Sequence, residues 1–224
     1  MRHPYYISNE YRPVFRGFII KEILPFIPFF CIFQLYSCLT DSNIKLILYK
    51  IIHLFSIIYN LKCSDYFHNS DLDTKSFLYF EKFNYELKWF KNDLLGISCV
   101  FCSNYFIWTK KCSYFNIFEH FTIISTFLLI YYFSNYIKIH NDKYNKIIKK
   151  IFMLQYLLLG KFVLYQYQKK YYKFVRNIYS IYSTGIFFYL LCDKLINNLY
   201  FRNHDIFHFF IIMGHIYSLI YTIF

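Results

Sequence analysis

The chain has 224 residues, of which 57% are hydrophobic and 25% aromatic, and its 25 Lys and Arg against 13 Asp and Glu give a formal net charge of +12. Disordered chains are poor in aromatic and aliphatic residues, and soluble domains average about 45–50% apolar residues, so the composition excludes a disordered chain and is atypical of a soluble basic domain. The surplus of apolar side chains predicts burial in a lipid bilayer.

Seven apolar runs follow one another along the chain, separated by short charged segments. Each run is close to the ~20 residues that a membrane-spanning helix needs. The runs cover residues 17–39, 44–68, 93–109, 116–137, 148–166, 174–195 and 206–224. The longest connection joins the second run to the third, and the rest of the chain is too short for a separate soluble domain. We therefore expect an all-α fold, a single domain over residues 1–224 built as a seven-transmembrane-helix bundle.

The first run is expected to remain in the protein as a span. The segment before it is polar, Pro25 and Pro28 lie inside it, and no small-residue cleavage site follows, which is unlike a signal peptide. The distribution of Lys and Arg favours a cytosolic N-terminus, because this orientation places more of them on the cytosolic side. Basic loops beside anionic lipid then account for the net charge, so membrane lipids are the expected partners and no compact motif indicates nucleic acid.

Polar residues inside these runs are candidates for function, because an ionisable group in a bilayer costs several kcal/mol unless it is paired or functional. His204 and His208 lie at the start of the last run with i, i+4 spacing. That spacing places two imidazoles on one helix face, from which both can reach one metal ion. The spacing alone is weakly specific, because two such histidines can also bond to each other or to water.

Three more polar residues belong to the ends of other runs. Ser64 and His68 share a helix face at the end of the second run, and Asp93 stands at the start of the third. With a cytosolic N-terminus, these helix ends and the start of the seventh run lie at one membrane depth. Three imidazoles would leave a fourth zinc position for water, as in hydrolytic zinc sites.

These motifs resemble the progestin and adipoQ receptor (PAQR) and hemolysin III family, which includes adiponectin receptors and belongs to a superfamily with the alkaline ceramidases. In that family Ser-x-x-x-His ends the second helix, an Asp before a small-residue and apolar pattern begins the third, and His-x-x-x-His lies in the seventh. The matching segments here are Ser64 to His68, Asp93 to Ile97, and His204 to His208. Further similarity lies at Arg16-Gly17, at Ser183 to Tyr189 and at Gly214.

The resemblance implies a zinc site and an activity. His68, His204 and His208 would be the zinc ligands, Asp93 would hold or deprotonate a water, and Ser64 would bond to the substrate or to a ligand. The expected reaction is the hydrolysis of a lipid amide or ester whose tails enter between the helices. A receptor-like or signalling protein with a structural or lost metal site is the alternative.

Another register of the second helix remains open. It would use Ser56 and Asn60 in place of Ser64 and His68, and lies in a more apolar stretch. Because Asn is a poor zinc ligand, that register implies a weakened or absent metal site. The register with Ser64 and His68 keeps the ligand and the shorter connection to Asp93, although 24 residues are more than the family usually has there.

The remaining histidines and the cysteines are given structural roles. His53 and His215 are expected to pack between helices or to form hydrogen bonds in a cavity, and Glu119 with His120 is expected to be solvated near an interface. The seven cysteines are expected to be mostly buried thiols. The single C-x-x-C of Cys99 and Cys102 is weak evidence for metal or redox chemistry.

Overall fold

A computed structural model describes residues 17–69, 79–136, 142–165, 172–190 and 203–223. Every regular element in these ranges is a helix, which confirms the all-α prediction. The elements are α1 (Phe18–Ile23), a short 3₁₀ helix (Leu24–Phe26), α2 (Ile27–Leu39), α3 (Ile44–Asn69), α4 (Tyr79–Lys111), α5 (Ile117–Ser134), α6 (Asp142–Tyr165), α7 (Tyr172–Leu190) and α8 (Asn203–Ile223).

The first two helices form one rod with an interruption at its prolines. Pro25 lies in the 3₁₀ helix, and Pro28 lies in the first turn of α2. A proline removes a backbone donor and its ring clashes with the preceding turn, so the α-helical ladder cannot continue through this segment. The 3₁₀ helix nevertheless joins α1 directly to α2, so Phe18–Leu39 is one helical segment with the length of a membrane span.

All seven predicted runs overlap helices, and four helices in the described ranges are long and apolar enough to cross a membrane. These four are Phe18–Leu39, Ile44–Asn69, Ile117–Ser134 and Asp205–Thr222. The helices at the other three predicted spans are more polar. The first half of α4 is rich in charged residues, and lysines recur along α6. Large apolar side chains such as Leu39 and Phe118, 86% and 81% exposed, point away from the bundle, as lipid-facing residues do.

The helices pack side by side around a common core. The most extensive contacts join α3 to α4 and α7 to α8, while α2 also contacts both α3 and α8. The side-chain amide of Asn69 at the end of α3 donates to the carbonyl of Gly17, next to the start of α1 (2.9 Å). At the opposite end, Thr222 of α8 donates to Gln34 of α2 (2.7 Å). The end of α3 and the start of α1 therefore share one end of the bundle.

Glycine permits close approach at two helix contacts. A Cβ atom added to Gly96 of α4 would lie 2.7 Å from the Cα atom of Asn60 on α3. One added to Gly214 of α8 would lie 2.4 Å from the ring of Tyr182 on α7. Such distances are far below van der Waals contact, so both positions need a residue without a side chain. They bring α3 against α4 and α7 against α8.

The segment before Asp93 differs from the sequence expectation. It was expected to be a connection up to residue 92, but α4 begins at Tyr79 and continues without a break to Lys111. The segment contains three Lys, two Glu and one Leu, residue types that favour helix, and Phe83 and Glu86 on one face are buried. Its charges distinguish it from the apolar runs, but charge does not prevent helix formation.

Candidate functional site

Three of the predicted site residues meet at one end of the bundle, each from a different helix. His68 lies near the end of α3, Asp93 within α4, and His208 in the second turn of α8. The rings of His68 and His208 are in edge-to-face contact, with 4.6 Å between their centroids. The Nε2 atom of His68 lies 3.9 Å from the Oδ2 atom of Asp93. This gap exceeds a hydrogen bond but is an ion-pair distance if the imidazole is protonated.

All three residues are withdrawn from the surface. The side chain of His68 is 0% exposed and that of Asp93 is 8% exposed. His208 is also buried. A buried carboxylate needs a compensating partner, since its desolvation is costly. A bundle core would exclude the Asp93 carboxylate without compensation, and here it lies beside the imidazole of His68, whose ring contacts that of His208.

Ser64 lies one helical turn before His68 on the same face of α3. It is buried, and its hydroxyl has no hydrogen-bond partner among the described residues. Nearly all buried polar side-chain atoms in folded proteins have a partner, so an unsatisfied hydroxyl calls for an explanation. Its position beside His68 makes it available to a bound molecule. The structure thus places Ser64 next to the predicted ligand, as the register with Ser64 and His68 requires.

The position of the fifth predicted residue is known only through its helix. His204 belongs to the first turn of α8, one turn before His208, and its side chain lies outside the described residues. Among the side chains that are described, no group of three or more His, Cys, Asp or Glu residues is arranged to hold a metal ion. The described part of the site supplies two imidazoles and one carboxylate, which are ligand types that zinc accepts.

Aromatic rings cover the histidines. Phe67 contacts the ring of His68 at 4.5 Å between centroids, and Phe207 contacts the ring of His208 at 5.3 Å. Phe67 also packs against Phe90 of α4, and Tyr189 of α7 packs against Phe207. Such a wall lowers the local dielectric constant, which strengthens every electrostatic interaction inside it. The site has the surroundings in which a proton-transfer group or a metal ion acts most strongly.

The alternative register also reaches this site. The amide nitrogen of Asn60 lies 3.4 Å from the backbone carbonyl of Asp93 and 3.5 Å from its Oδ1 atom. The hydroxyl of Ser56, by contrast, bonds within its own helix to the carbonyl of Ile52 (2.8 Å). Asn60 and His68 are thus both neighbours of Asp93, two turns apart on α3. The two registers describe one polar face of α3, on which Asn60 is a partner of the carboxylate.

The two other buried histidines of α3 and α8 form hydrogen bonds, which confirms their predicted role. His53 Nδ1 lies 2.8 Å from the hydroxyl of Ser103, and its Nε2 atom lies 2.9 Å from that of Ser218. His215 Nε2 lies 2.9 Å from Asn60 Oδ1, and its Nδ1 atom lies 2.9 Å from the hydroxyl of Tyr182. Both nitrogens of both rings are occupied by neutral groups, so neither histidine is placed as a metal ligand.

Sequence reasoning missed several buried polar residues. Asn104 and Tyr182 lie in the core with Ser218, and isolated polar residues in apolar helices have no spacing pattern that identifies them. Glu119 was expected to be solvated but is buried, and its Oε2 atom accepts from Tyr105 and from Tyr114 (3.0 Å each). Of the described cysteines, Cys38 and Cys63 are buried and the other four are half-buried, so the prediction of mostly buried thiols is met only in part, and Cys192 lies outside the described residues.

The candidate site therefore combines a carboxylate, two imidazoles in contact and a buried hydroxyl at one end of a helical bundle. Imidazole and carboxylate are ligand types that zinc accepts, a carboxylate can move a proton, and a hydroxyl can donate a hydrogen bond to a carbonyl. When the chain is compared with protein-family models, with curated proteins and with solved structures, none of them matches it.

Proposed function

We propose that this protein is a seven-span integral membrane protein, with a cytosolic N-terminus, that hydrolyses a lipid amide or ester at a zinc site. The observation that carries the proposal is the meeting of His68, Asp93 and His208 from three helices in one buried cluster. The sequence patterns that single out these residues are separate from one another, so their contact supports a shared role. Four helices with the length and composition of membrane spans support the membrane setting.

The donor chemistry fits zinc. His68, His204 and His208 would hold the ion, because imidazole nitrogens are among its usual protein ligands and a carboxylate stands beside them. Zinc bound by three protein ligands supplies Lewis acidity, which polarises a carbonyl and lowers the pKa of a bound water to about 7. The hydroxyl of Ser64, buried without a partner among the described residues, suits a hydrogen bond to a bound molecule.

The residues of the chain divide the reaction between them. Asp93 accepts the proton of the attacking water and returns it to the leaving amine or alcohol, as a general base and then a general acid. Ser64 donates a hydrogen bond to the carbonyl oxygen of the substrate. The aromatic wall of Phe67, Phe90 and Phe207 excludes bulk water, and its apolar faces suit acyl chains.

A membrane substrate follows from the surroundings of the site. The bundle exposes large apolar side chains over much of its length, so the molecules that reach it laterally are lipids. The site lies near the end of α3 and the start of α8. If these helices cross the membrane, the site would lie near the membrane surface, where the headgroup linkages of lipids are found. The scissile bond would then reach Asp93 while the acyl chains stay among the helices.

A non-catalytic role is the second candidate, and one contact favours it. Asn60, the residue of the alternative register, approaches Asp93 with its amide nitrogen. A carboxylate committed to a structural partner fits a receptor-like or signalling protein whose metal is structural or lost. This candidate differs from the first in one measurable way, because it predicts no dependence of lipid hydrolysis on Asp93.

The test begins with the metal. We expect the purified full chain to contain zinc, measured by mass spectrometry, and the double variant His204→Ala with His208→Ala to have lost it. His120→Ala is the matched control, because His120 bonds to its own helix cap at Asn116 (2.8 Å) and should leave the zinc content unchanged. Absence of zinc in the wild type, or retention in the double variant, would overturn the site.

The second part separates the enzyme from the receptor. The full chain in lipid nanodiscs is given a ceramide and a fatty-acid ester, and the released fatty acid is measured. We expect release by the wild type and a loss of about 10²–10⁴-fold with Asp93→Ala. Equal release by both proteins would contradict a catalytic role for Asp93, and zinc without any release would favour the structural reading.

A further inference from the structure

A row of eight buried polar side chains runs through the middle of the bundle, from the candidate site toward the opposite end. Its members belong to α3, α4, α7 and α8, and each contacts the next. In order from the site they are Asp93, Asn60, His215, Tyr182, Asn104, Ser218, His53 and Ser103. All eight are buried. In a low-dielectric core such a network is costly unless every donor meets an acceptor, so its proton positions can be deduced.

The end at Asp93 fixes the first member. The amide of Asn60 faces the backbone carbonyl and the Oδ1 atom of Asp93, at 3.4 and 3.5 Å. A backbone carbonyl oxygen can only accept hydrogen bonds. The amide nitrogen of Asn60 must therefore point toward Asp93, because the reverse orientation would oppose two acceptors. This leaves the Oδ1 atom of Asn60 facing His215.

The orientation of Asn60 then determines the tautomer of His215. Its Nε2 atom lies 2.9 Å from Asn60 Oδ1, an acceptor, so Nε2 carries the proton. The Nδ1 atom of the neutral ring is then an acceptor, and the hydroxyl of Tyr182 donates to it (2.9 Å). Because the hydroxyl hydrogen of Tyr182 is engaged in this bond, its oxygen accepts a hydrogen bond from the amide nitrogen of Asn104 (3.4 Å).

The same reasoning reaches the far end. Asn104 presents its Oδ1 atom to the hydroxyl of Ser218, which donates to it. The oxygen of Ser218 then accepts from Nε2 of His53 (2.9 Å). The hydroxyl of Ser103 faces two acceptors, Nδ1 of His53 (2.8 Å) and the backbone carbonyl of Val100 (3.0 Å), which share its single hydrogen. One arrangement of protons thus makes every contact between Asp93 and His53 a hydrogen bond, with each group donating toward Asp93.

We propose that Asn60 and His215 are positioning residues for Asp93, held in place by this one-directional chain of hydrogen bonds. The chain orients Asn60 toward the backbone carbonyl and Oδ1 of Asp93, while the Oδ2 atom stays on the side of His68. The two asparagines interrupt any proton-hopping path, because an amide does not readily exchange its proton for another. The chain therefore holds groups in place and does not conduct protons. The catalytic role of Asp93 rests on the proposed function, whereas the direction of the hydrogen bonds does not.

The direction of the chain is tested by nitrogen NMR of the imidazoles. The full chain is labelled with ¹⁵N-histidine in lipid nanodiscs, and the signals of His53 and His215 are assigned from His53→Gln and His215→Gln. We expect both rings to be neutral with the proton on Nε2, unchanged between about pH 5 and 8, where an exposed histidine would titrate. A proton on Nδ1, or a charged ring, at either residue would overturn the proposal.

The coupling is tested with Asn60→Leu, which keeps the shape of the side chain and removes the amide. We expect the wild-type tautomer of His215 to be lost, because Nε2 no longer faces an acceptor. Gln155→Leu is the matched control, since Gln155 is a buried amide on α6 that bonds to Ser98 (2.8 Å), outside the chain. An unchanged His215 spectrum in Asn60→Leu would overturn the coupling.

Two further readouts distinguish positioning from other roles. If the proposed hydrolysis is found, we expect Asn60→Leu to lower kcat about 10-fold or more, with KM and zinc content near those of the wild type. A change in KM alone would contradict positioning of Asp93. Proton flux into liposomes that carry the wild type, lost in Asn60→Leu, would overturn the conclusion that the chain does not conduct. If zinc is absent but the tautomers are as stated, the proposed function is wrong, whereas the proposed direction of the hydrogen bonds is confirmed.

Discussion

Two pairs of histidines on the same two helices have opposite surroundings. His53 and His215 lie in the middle of the bundle, where hydroxyls and amides occupy all four of their ring nitrogens. His68 and His208 lie at one end, where their rings touch and a carboxylate stands 3.9 Å from His68. Residue type and helix are the same, so the difference comes from the partners. A network of neutral groups holds an imidazole ring in one orientation, whereas a neighbouring imidazole and a carboxylate form the candidate functional site.

The largest expected effect is a loss of zinc when the pair at the end of the bundle, His68 and His208, is disrupted, and it should not occur when the middle pair, His53 and His215, is disrupted. His208→Ala should abolish zinc binding, with a loss well beyond the roughly 10–100-fold that follows from removing an outer hydrogen-bonding partner. His215→Ala, seven residues further along α8, should retain the metal. Zinc is measured by mass spectrometry on the folded fraction of each variant. Equal zinc content in the two variants would erase the distinction between the pairs.

The second prediction is that the free energy of unfolding depends more on the middle pair of histidines than on the end pair. His215→Phe removes a partner from both Asn60 and Tyr182 and should cost about 2–4 kcal/mol, because buried polar groups left unsatisfied are expensive. His208→Phe keeps an edge-to-face ring contact with His68 and should cost about 1 kcal/mol. Reversible unfolding in mixed detergent micelles measures both. A greater loss for His208→Phe would contradict the comparison.

The third prediction concerns the close contact between α3, which carries one histidine of each pair, and α4, which carries Asp93. Gly96→Ala places a methyl group 2.7 Å from the Cα atom of Asn60, so α3 and α4 must separate, at a cost of about 1–3 kcal/mol. Gly185→Ala is the control, because its nearest atom is the Cβ of Phe210 at 3.0 Å and the gain in helix propensity offsets the strain. The same unfolding measurement should rank the two variants in this order.

The smallest expected effect lies outside both pairs. The Asn116 side chain caps α5 by accepting from the backbone amides of Phe118 (3.0 Å) and Glu119 (3.3 Å). Asn116→Ala should cost about 1 kcal/mol, the usual value of such a cap. Zinc content and the histidine tautomers should stay as in the wild type. A change in either would mean that the site and the chain depend on the whole bundle more than on their own contacts.

The helices were largely predictable from the sequence, because apolar runs of membrane length are set by composition alone. The start of α4 was not predictable, because the hydropathy of its charged first half is typical of a loop, whereas its helix propensity favours a helix. His208 could be selected from its i, i+4 spacing with His204, and Asp93 because it stands at the start of an apolar run. Asn60 could be selected only as a substitute ligand, and its contacts with Asp93 and His215 depend on how three helices pack.

The hydrogen-bonded chain shows why the remainder could not be predicted. Tyr182, Asn104 and Ser218 each occupy an ordinary position within an apolar helix. Their significance comes from neighbours between 33 and 165 residues away along the sequence. A spacing rule works within one helix, whereas this network is defined across four. Polar residues inside apolar runs are a signal that the sequence offers, but this signal does not identify which residues they contact.

The length of α4 has a consequence for local opening. Asp93 is preceded by fourteen helical residues, whereas His208 has only five before it in α8. Helix ends open at little free-energy cost, while interior turns open only with much larger parts of the structure. Amide hydrogen exchange should therefore be slow around Asp93 and faster in the first turns of α8. The carboxylate would be the fixed half of the site, and the histidines of α8 would be the half that yields when a molecule enters or leaves.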